Sequence, residues 1–400
     1  GSATENILPK NHPQKYYFKV LCRLIYYLGM ADLWYEKTEV SYYRKKLHNA
    51  WRVMSNCYIV FGLIDELLSY FRDLTEREKT DLVLFTFAHP SILCKILTLY
   101  IWGDSIKVVL ERLLEGTRTT FHSIELERES VKQFARYCFS LTGVSYLTLC
   151  FAGIEGIRNH IKEGIPIRTE VVYFPNPSQT GFFINFMRFM VEFHWYYIVA
   201  AMAASDCLAL CSLITVGYKF KLLRQYFRNL KINVLENKEK MSQRELEEEF
   251  KKDFVIGIKL HADALWCARN VQKSMGPLYS IQVLESVTLL VMCLIKIVAD
   301  RNYVYLFANL IFIACMIFLT GAYMTAAGDI TYEASQVGTE IFHSGWEYCA
   351  KRSDLRVLAV VALQMSQVPV YMTAFGVLIL SHTNLITVLR SSYSFFAVTY

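Results

Sequence analysis

From Val357 to Leu389 the chain has no Asp, Glu, Lys or Arg. That absence rules out an ordinary solvated surface there, and the stretch exceeds the about 20 apolar residues a membrane-spanning helix needs. Enzyme signatures are missing too. There is no GxSxG, no phosphate loop, no HExxH and no Gly-rich dinucleotide turn, so no catalytic residue is assigned. The 11 cysteines form no CxxC or Cys/His ligand spacing. Most lie inside apolar runs and read as packed free thiols, with no metal site and no cofactor. A net charge of +6 without a basic stripe argues against nucleic acid. No cleavable signal peptide is visible, so the N-terminus is expected to stay in the cytoplasm.

What the chain has in quantity is apolar surface: 54% hydrophobic residues, 14% aromatic and a mean hydropathy of +0.26. This composition points to an all-α membrane protein with seven transmembrane helices. The spans fall at about 47–71, 82–102, 137–154, 185–218, 277–298 and 303–328, with a last helix broken near Pro369. Pro90 interrupts the second. Residues 1–46 read as a cytoplasmic segment with a short interfacial helix. Residues 47–218 hold the first four spans, 219–276 a charged cytoplasmic helical extension, and 277–328 the fifth and sixth. Residues 329–368 form a cytoplasmic anchor region and 369–400 the final helix. The proline-bearing loop before residue 181 reads as an ordered lid or a flexible loop.

Seven spans put the termini on opposite faces. Lys and Arg concentrate in 219–273 and are sparse in 72–81 and 299–302, which places the N-terminus inside and the C-terminus outside. Charges inside the spans are costly unless paired or wet. Glu192, Asp206 and Glu285 therefore line a pore or form structural pairs, and Arg188 lies one turn from Glu192.

The final stretch also carries a resemblance. Leu389-Arg-Ser-Ser-Tyr-Ser-Phe-Phe396, Gln364-Met-Ser-Gln-Val-Pro369 and Ala374-Phe-Gly-Val-Leu-Ile-Leu-Ser381 resemble the C-terminal signature of insect odorant receptors. The resemblance implies a ligand-gated, non-selective cation channel in which the last helix is broken into a cytoplasmic and a pore-lining part. It also implies a tetramer with a co-receptor subunit, in the plasma membrane of olfactory neuron dendrites. By that alignment Phe396 and Tyr400 fall at the gate, with Thr387 and Ser391 along the pore. Aromatics there depart from the aliphatic gate of the co-receptor, so the chain is expected to be the odorant-tuned subunit of a heteromer.

A small apolar volatile needs an aromatic-rich cavity with few polar anchors. The outer halves of spans two, three, four and six would supply it. Candidates are Phe85, Ala88 and His89; then Ser140, Gly143, Tyr146 and Leu147; then Met190, His194 and Tyr197; and finally Tyr303 and Phe307. Ser140, Gly143 and Leu147 resemble the family's pocket face. Core packing is the competing reading for each. Trp346 and Tyr348 are candidates for an intersubunit anchor. A gustatory receptor of the same superfamily would need a more polar pocket. A G-protein-coupled receptor would need the opposite orientation, and Ala135-Arg136-Tyr137 stands at the wrong end of its span for one. A transporter would show internal repeats, and none is seen.

Overall fold

A computed structural model of the chain describes residues 12–33, 42–116, 118–164, 166–167, 171–299, 303–349 and 351–399. The helices are α1 (Pro13–Tyr27), α2 (Tyr42–Leu68), α3 (Glu76–Ile101), α4 (Gly103–Glu115), α5 (Ile124–Glu163), α6 (Phe182–Asn237), α7 (Gln243–Ala299), α8 (Tyr303–Phe342), α9 (Ser353–Ser366) and α10 (His382–Thr399). Strands β1 (Thr373–Ala374) and β2 (Leu378–Ile379) form a small antiparallel hairpin between α9 and α10. By length and composition α3, α5, α6, α7 and α8 could each cross a membrane. With α2 and α10 alongside, they make up the expected set of seven.

The bundle is built around α6. Every residue from Ala201 to Phe220 is buried, and a helix apolar on all sides belongs in the interior. Ala200, Ala201, Ala203 and Ala204 let neighbouring backbones approach closely, as small residues do between helices in lipid. The expected boundaries at residues 218, 276 and 328 fall inside α6, α7 and α8, which run on unbroken. Those positions mark a change in side-chain polarity, not a break in the backbone. The C-terminal halves of α6 and α8 are joined by ion pairs: Arg224 to Glu333, and Arg228 to Glu340.

Local sequence explains the ends. Thr75 caps α3 in a reciprocal box with Glu78: Glu78 N–H donates to Thr75 Oγ1 at 3.3 Å and Thr75 N–H to Glu78 Oε2 at 2.9 Å. The expected break near Pro369 is the hairpin. Phe375 and Gly376 both have positive φ (55° and 71°) at the centre of the turn that Val377 N–H closes on Ala374 O at 3.2 Å. The hairpin is fastened to α7. Thr373 N–H donates to Gln272 Oε1 at 2.9 Å, Gln272 Nε2 returns a bond to Thr373 O at 2.9 Å, and Phe375 N–H donates to Ser280 Oγ at 2.8 Å.

One close approach fixes α2 against α6. A Cβ built on Gly62 would stand 2.2 Å from His194 Cε1, and the His194 ring is buried. Gly62→Ala should therefore lower stability by about 1–3 kcal/mol, the usual cost of overpacking. The measurement is thermal unfolding of the detergent-solubilised protein.

Candidate functional site: a cavity at one end of the bundle

A cavity of about 650 Å³ opens among the described helices, within the range of small-molecule sites. It lies where the C-terminal ends of α5 and α7 meet the N-terminal ends of α3 and α8. Five helices contribute. From α3 come Leu84, Phe85, Ala88, His89 and Ile92, one face at helical spacing. From α5 come Ser145, Thr148, Leu149, Ala152 and Asn159. Trp195, Ile198 and Met202 face it from α6, Glu285, Leu289 and Lys296 from α7, and Asn309, Phe312, Cys315 and Met316 from α8.

The loop before α6 covers the cavity. Pro166 and Val171 line it. Its described part is held down: Phe174 N–H donates to Asp65 Oδ1 at 3.0 Å, Ser69 Oγ to Val171 O at 3.4 Å, and Arg72 to Val172 O. The lid is thus ordered over residues 171–174 by bonds that the sequence alone left open. Arg188 donates to Asn185 Oδ1 at 2.9 Å and to the carbonyl of Asn176 at 3.1 Å, tying the start of α6 to the same loop.

The sequence candidates are divided by this geometry. Phe85, Ala88 and His89 line the cavity. Phe85 stacks on His89 at 5.4 Å between ring centroids and meets Trp195 edge-on at 5.2 Å. On α5 the candidate face points elsewhere. Gly143 and Leu147 are exposed, and a Cβ at Gly143 would meet nothing within 4 Å. The inward face runs through Phe134, Cys138, Leu141, Ser145 and Leu149, all buried. Ser140 and Tyr146 flank it without lining the cavity. The Phe134-Cys138-Leu141 spacing was the signal for that face, and the Ser140/Gly143 pattern masked it.

The α6 candidates are one position out. Met190, His194 and Tyr197 turn toward α2 and the end of α1. Met190 O accepts from Tyr58 Oη, His194 meets the Tyr58 ring at 5.0 Å, and Tyr197 Oη donates to Leu28 O. The neighbouring stripe, Trp195, Ile198 and Met202, faces the cavity instead, about 100° around the helix. On α8, Phe307 is exposed and packs on Phe151 at 5.4 Å, while Asn309, Phe312 and Met316 face inward. Tyr303 starts α8, and its side chain lies outside what the structure describes.

The floor is polar. Lys95, Asp206 and Glu285 are 0%, 1% and 4% exposed. Lys95 Nζ stands 3.1 Å from Asp206 Oδ2 and 2.9 Å from Glu285 Oε2, and donates to Gln282 Oε1. Tyr323 Oη donates to Asp206 Oδ1 at 3.0 Å. Asp206 and Glu285 therefore pair inside one chain, the structural alternative for intramembrane charge. Nearby, His89 Nδ1 lies 3.0 Å from Glu66 Oε2, and Lys296 pairs with Asp81 at the rim.

An apolar cluster links the cavity wall to α10. Leu84, Leu289, Leu290, Cys293, Cys315 and Met316 form one apolar cluster, and Leu389 of α10 packs against it. Val388 and Ser392 are buried on the same helix. The opposite side of α10 exposes Thr383, Thr387, Ser391 and Ser394, a polar stripe at helical spacing. Phe396 is half-buried, and Tyr400 lies outside the described residues. Trp346 and Tyr348 make contacts within the chain: Trp346 Nε1 donates to Phe342 O at 3.1 Å, and Lys238 Nζ lies 4.9 Å from the Tyr348 ring centroid.

Comparison with known proteins agrees with this architecture. The sequence profile described as 7tm Odorant receptor matches residues 85–393. Among curated proteins no match was found. The fold is similar to that of the insect olfactory receptor OR5 from Machilis hrabei in complex with eugenol, with a TM-score of 0.79 and 10% sequence identity over 96% of this chain and 97% of that one. A second structure of that receptor gives a TM-score of 0.78 at the same identity and coverage.

Proposed function

This chain belongs to the 7tm odorant receptor family, a family of multi-pass membrane receptors, and from that premise we propose that it is the ligand-tuned subunit of an odorant-gated cation channel. A small, mostly apolar volatile binds in the outer cavity. Binding favours a conformation in which α10 shifts and an ion path opens, through differential affinity for the two states. The observation that carries the reading is the packing of Leu389 from α10 on the apolar wall of the cavity. A ligand that repacks that wall changes what α10 rests on. The Thr383, Thr387, Ser391 and Ser394 stripe suits a helix bordering water, and Phe396 stands at the gate.

The N-terminus is cytoplasmic and the C-terminus outside in this reading. Residues 219–276 and 329–368 form the inner anchor region, with Trp346 and Tyr348 near its subunit contacts. The partner is an odorant co-receptor subunit in a tetramer, because the gate position here is aromatic. The complex of the M. hrabei receptor with eugenol supports a small-molecule ligand for this chain. Whole-cell recording of the chain with and without a co-receptor, against a panel of volatiles, tests the proposal. Currents that need both subunits and a volatile are expected. A current carried by this chain alone would overturn the heteromer, and silence to every volatile from surface-expressed protein would overturn the receptor.

Leu389→Ala removes the contact between cavity wall and α10 without touching the cavity lining. The half-maximal odorant concentration should rise about fivefold, equivalent to roughly 1 kcal/mol of lost coupling. Dose–response curves from co-expressing cells measure it.

A further inference from the structure

Among the described residues, the polar floor of the cavity carries more acid than base. Asp206 and Glu285 both face Lys95, while Asp81 on the lining faces Lys296 and Glu66 faces His89. Each cation is already engaged. Lys296 meets Asp81, His89 meets Glu66, and Lys95 is shared between Asp206 and Glu285. The floor is the sharpest case: two buried carboxylates divide one ammonium. A buried charge without its counter-charge is costly, and of this pair only Glu285 lines the cavity.

The rest of the lining narrows what could supply the missing charge. Above Glu285 the walls are apolar and aromatic, with Phe85, Trp195 and Phe312 among them. Aromatic faces attract cations. A bare metal ion would leave a cavity of about 650 Å³ mostly unfilled. A carboxylic acid would meet like charge, and a neutral alcohol or ester would leave the imbalance as it stands. An organic cation with a hydrocarbon body meets both requirements.

We propose that the cavity is tuned to small volatile amines, bound in protonated form with the ammonium on Glu285 and the hydrocarbon part against Phe85 and Trp195. The proposal rests on the receptor reading above and names the ligand class of that same cavity. Such amines are volatile when neutral and take up a proton on dissolving, because their ammonium is a weak acid like that of lysine. The site thus reads the charge acquired in water together with the apolar skeleton.

The test uses the chain co-expressed with a co-receptor at neutral pH, probed with phenethylamine and phenethyl alcohol, which share one skeleton. The amine should reach half-maximal current at a concentration about tenfold lower or better, a difference of about 1.4 kcal/mol. The ratio between the two probes is the readout, so changes in expression cancel. Glu285→Gln should bring the ratio near one. Asp206→Asn, which restores balance from behind the cavity wall, should reduce it as well. Equal potency of the two probes on the unaltered receptor overturns the amine assignment, as does a preference that survives Glu285→Gln. A response confined to neutral volatiles overturns the amine assignment and leaves the receptor reading standing. Silence to all volatiles from protein at the cell surface overturns both.

Discussion

Lys95→Met should destabilise the protein by about 3–5 kcal/mol, the range seen when one member of a buried ion pair is removed. Lys95 is fully buried and is the ammonium placed between Asp206 and Glu285. Without it, two carboxylates face each other in the core of the bundle, with Tyr323 Oη still donating to Asp206. Asp206 is buried and does not line the cavity, so water cannot rescue it cheaply. The variant should fail to reach the cell surface or should unfold at a clearly lower temperature in detergent. The control removes all three charges together. Lys95→Met with Asp206→Asn and Glu285→Gln replaces an ionic cluster by neutral groups of similar size, which is often close to neutral for stability. Recovery in the triple variant would show that the loss comes from unbalanced charge, and continued failure would point to packing.

Ala88→Trp should abolish odorant responses while leaving the protein folded. Ala88 lines the cavity and its Cβ belongs to the wall that Leu84 and Leu289 build. An indole placed there enters open volume of about 650 Å³, so the overpacking penalty of a filled core does not apply in full. The space a ligand would use is lost instead. Half-maximal concentrations should rise by more than about a hundredfold, the scale of roughly 3 kcal/mol of lost binding. Surface labelling separates this from misfolding. Unchanged dose–response curves would mean that the volatile binds elsewhere.

Much of the architecture could be read from the residues. The long uncharged stretch to Leu389 marks the last helix, and Pro369 marks its interruption. Continuous apolar character from Ala201 to Phe220 marks the central helix. The α3 face of the cavity was legible as well, because Phe85, Ala88 and His89 stand together before Pro90. The α5 and α6 faces were not. In a helix apolar on most sides, periodicity fades, and a reading that is one residue out turns the side chains by about 100°. That is the distance between His194 and Trp195 on α6. Nor could pairing be read: Lys95, Asp206 and Glu285 are each visible as costly charges, yet their meeting depends on how three helices pack. The lid was undecidable for the same reason, since Asp65 and Arg72 hold it from a distant part of the chain.

The hairpin after α9 sets how any displacement of the last helix is distributed. Gln272 and Ser280 clasp residues 373 and 375 to α7, a helix of 57 residues that spans roughly 85 Å at 1.5 Å per residue. The clasp on it acts as a fulcrum, with α9 on one side and α10 on the other. A push at Leu389 would then move α10 more than α9, which lies on the far side of the clasp.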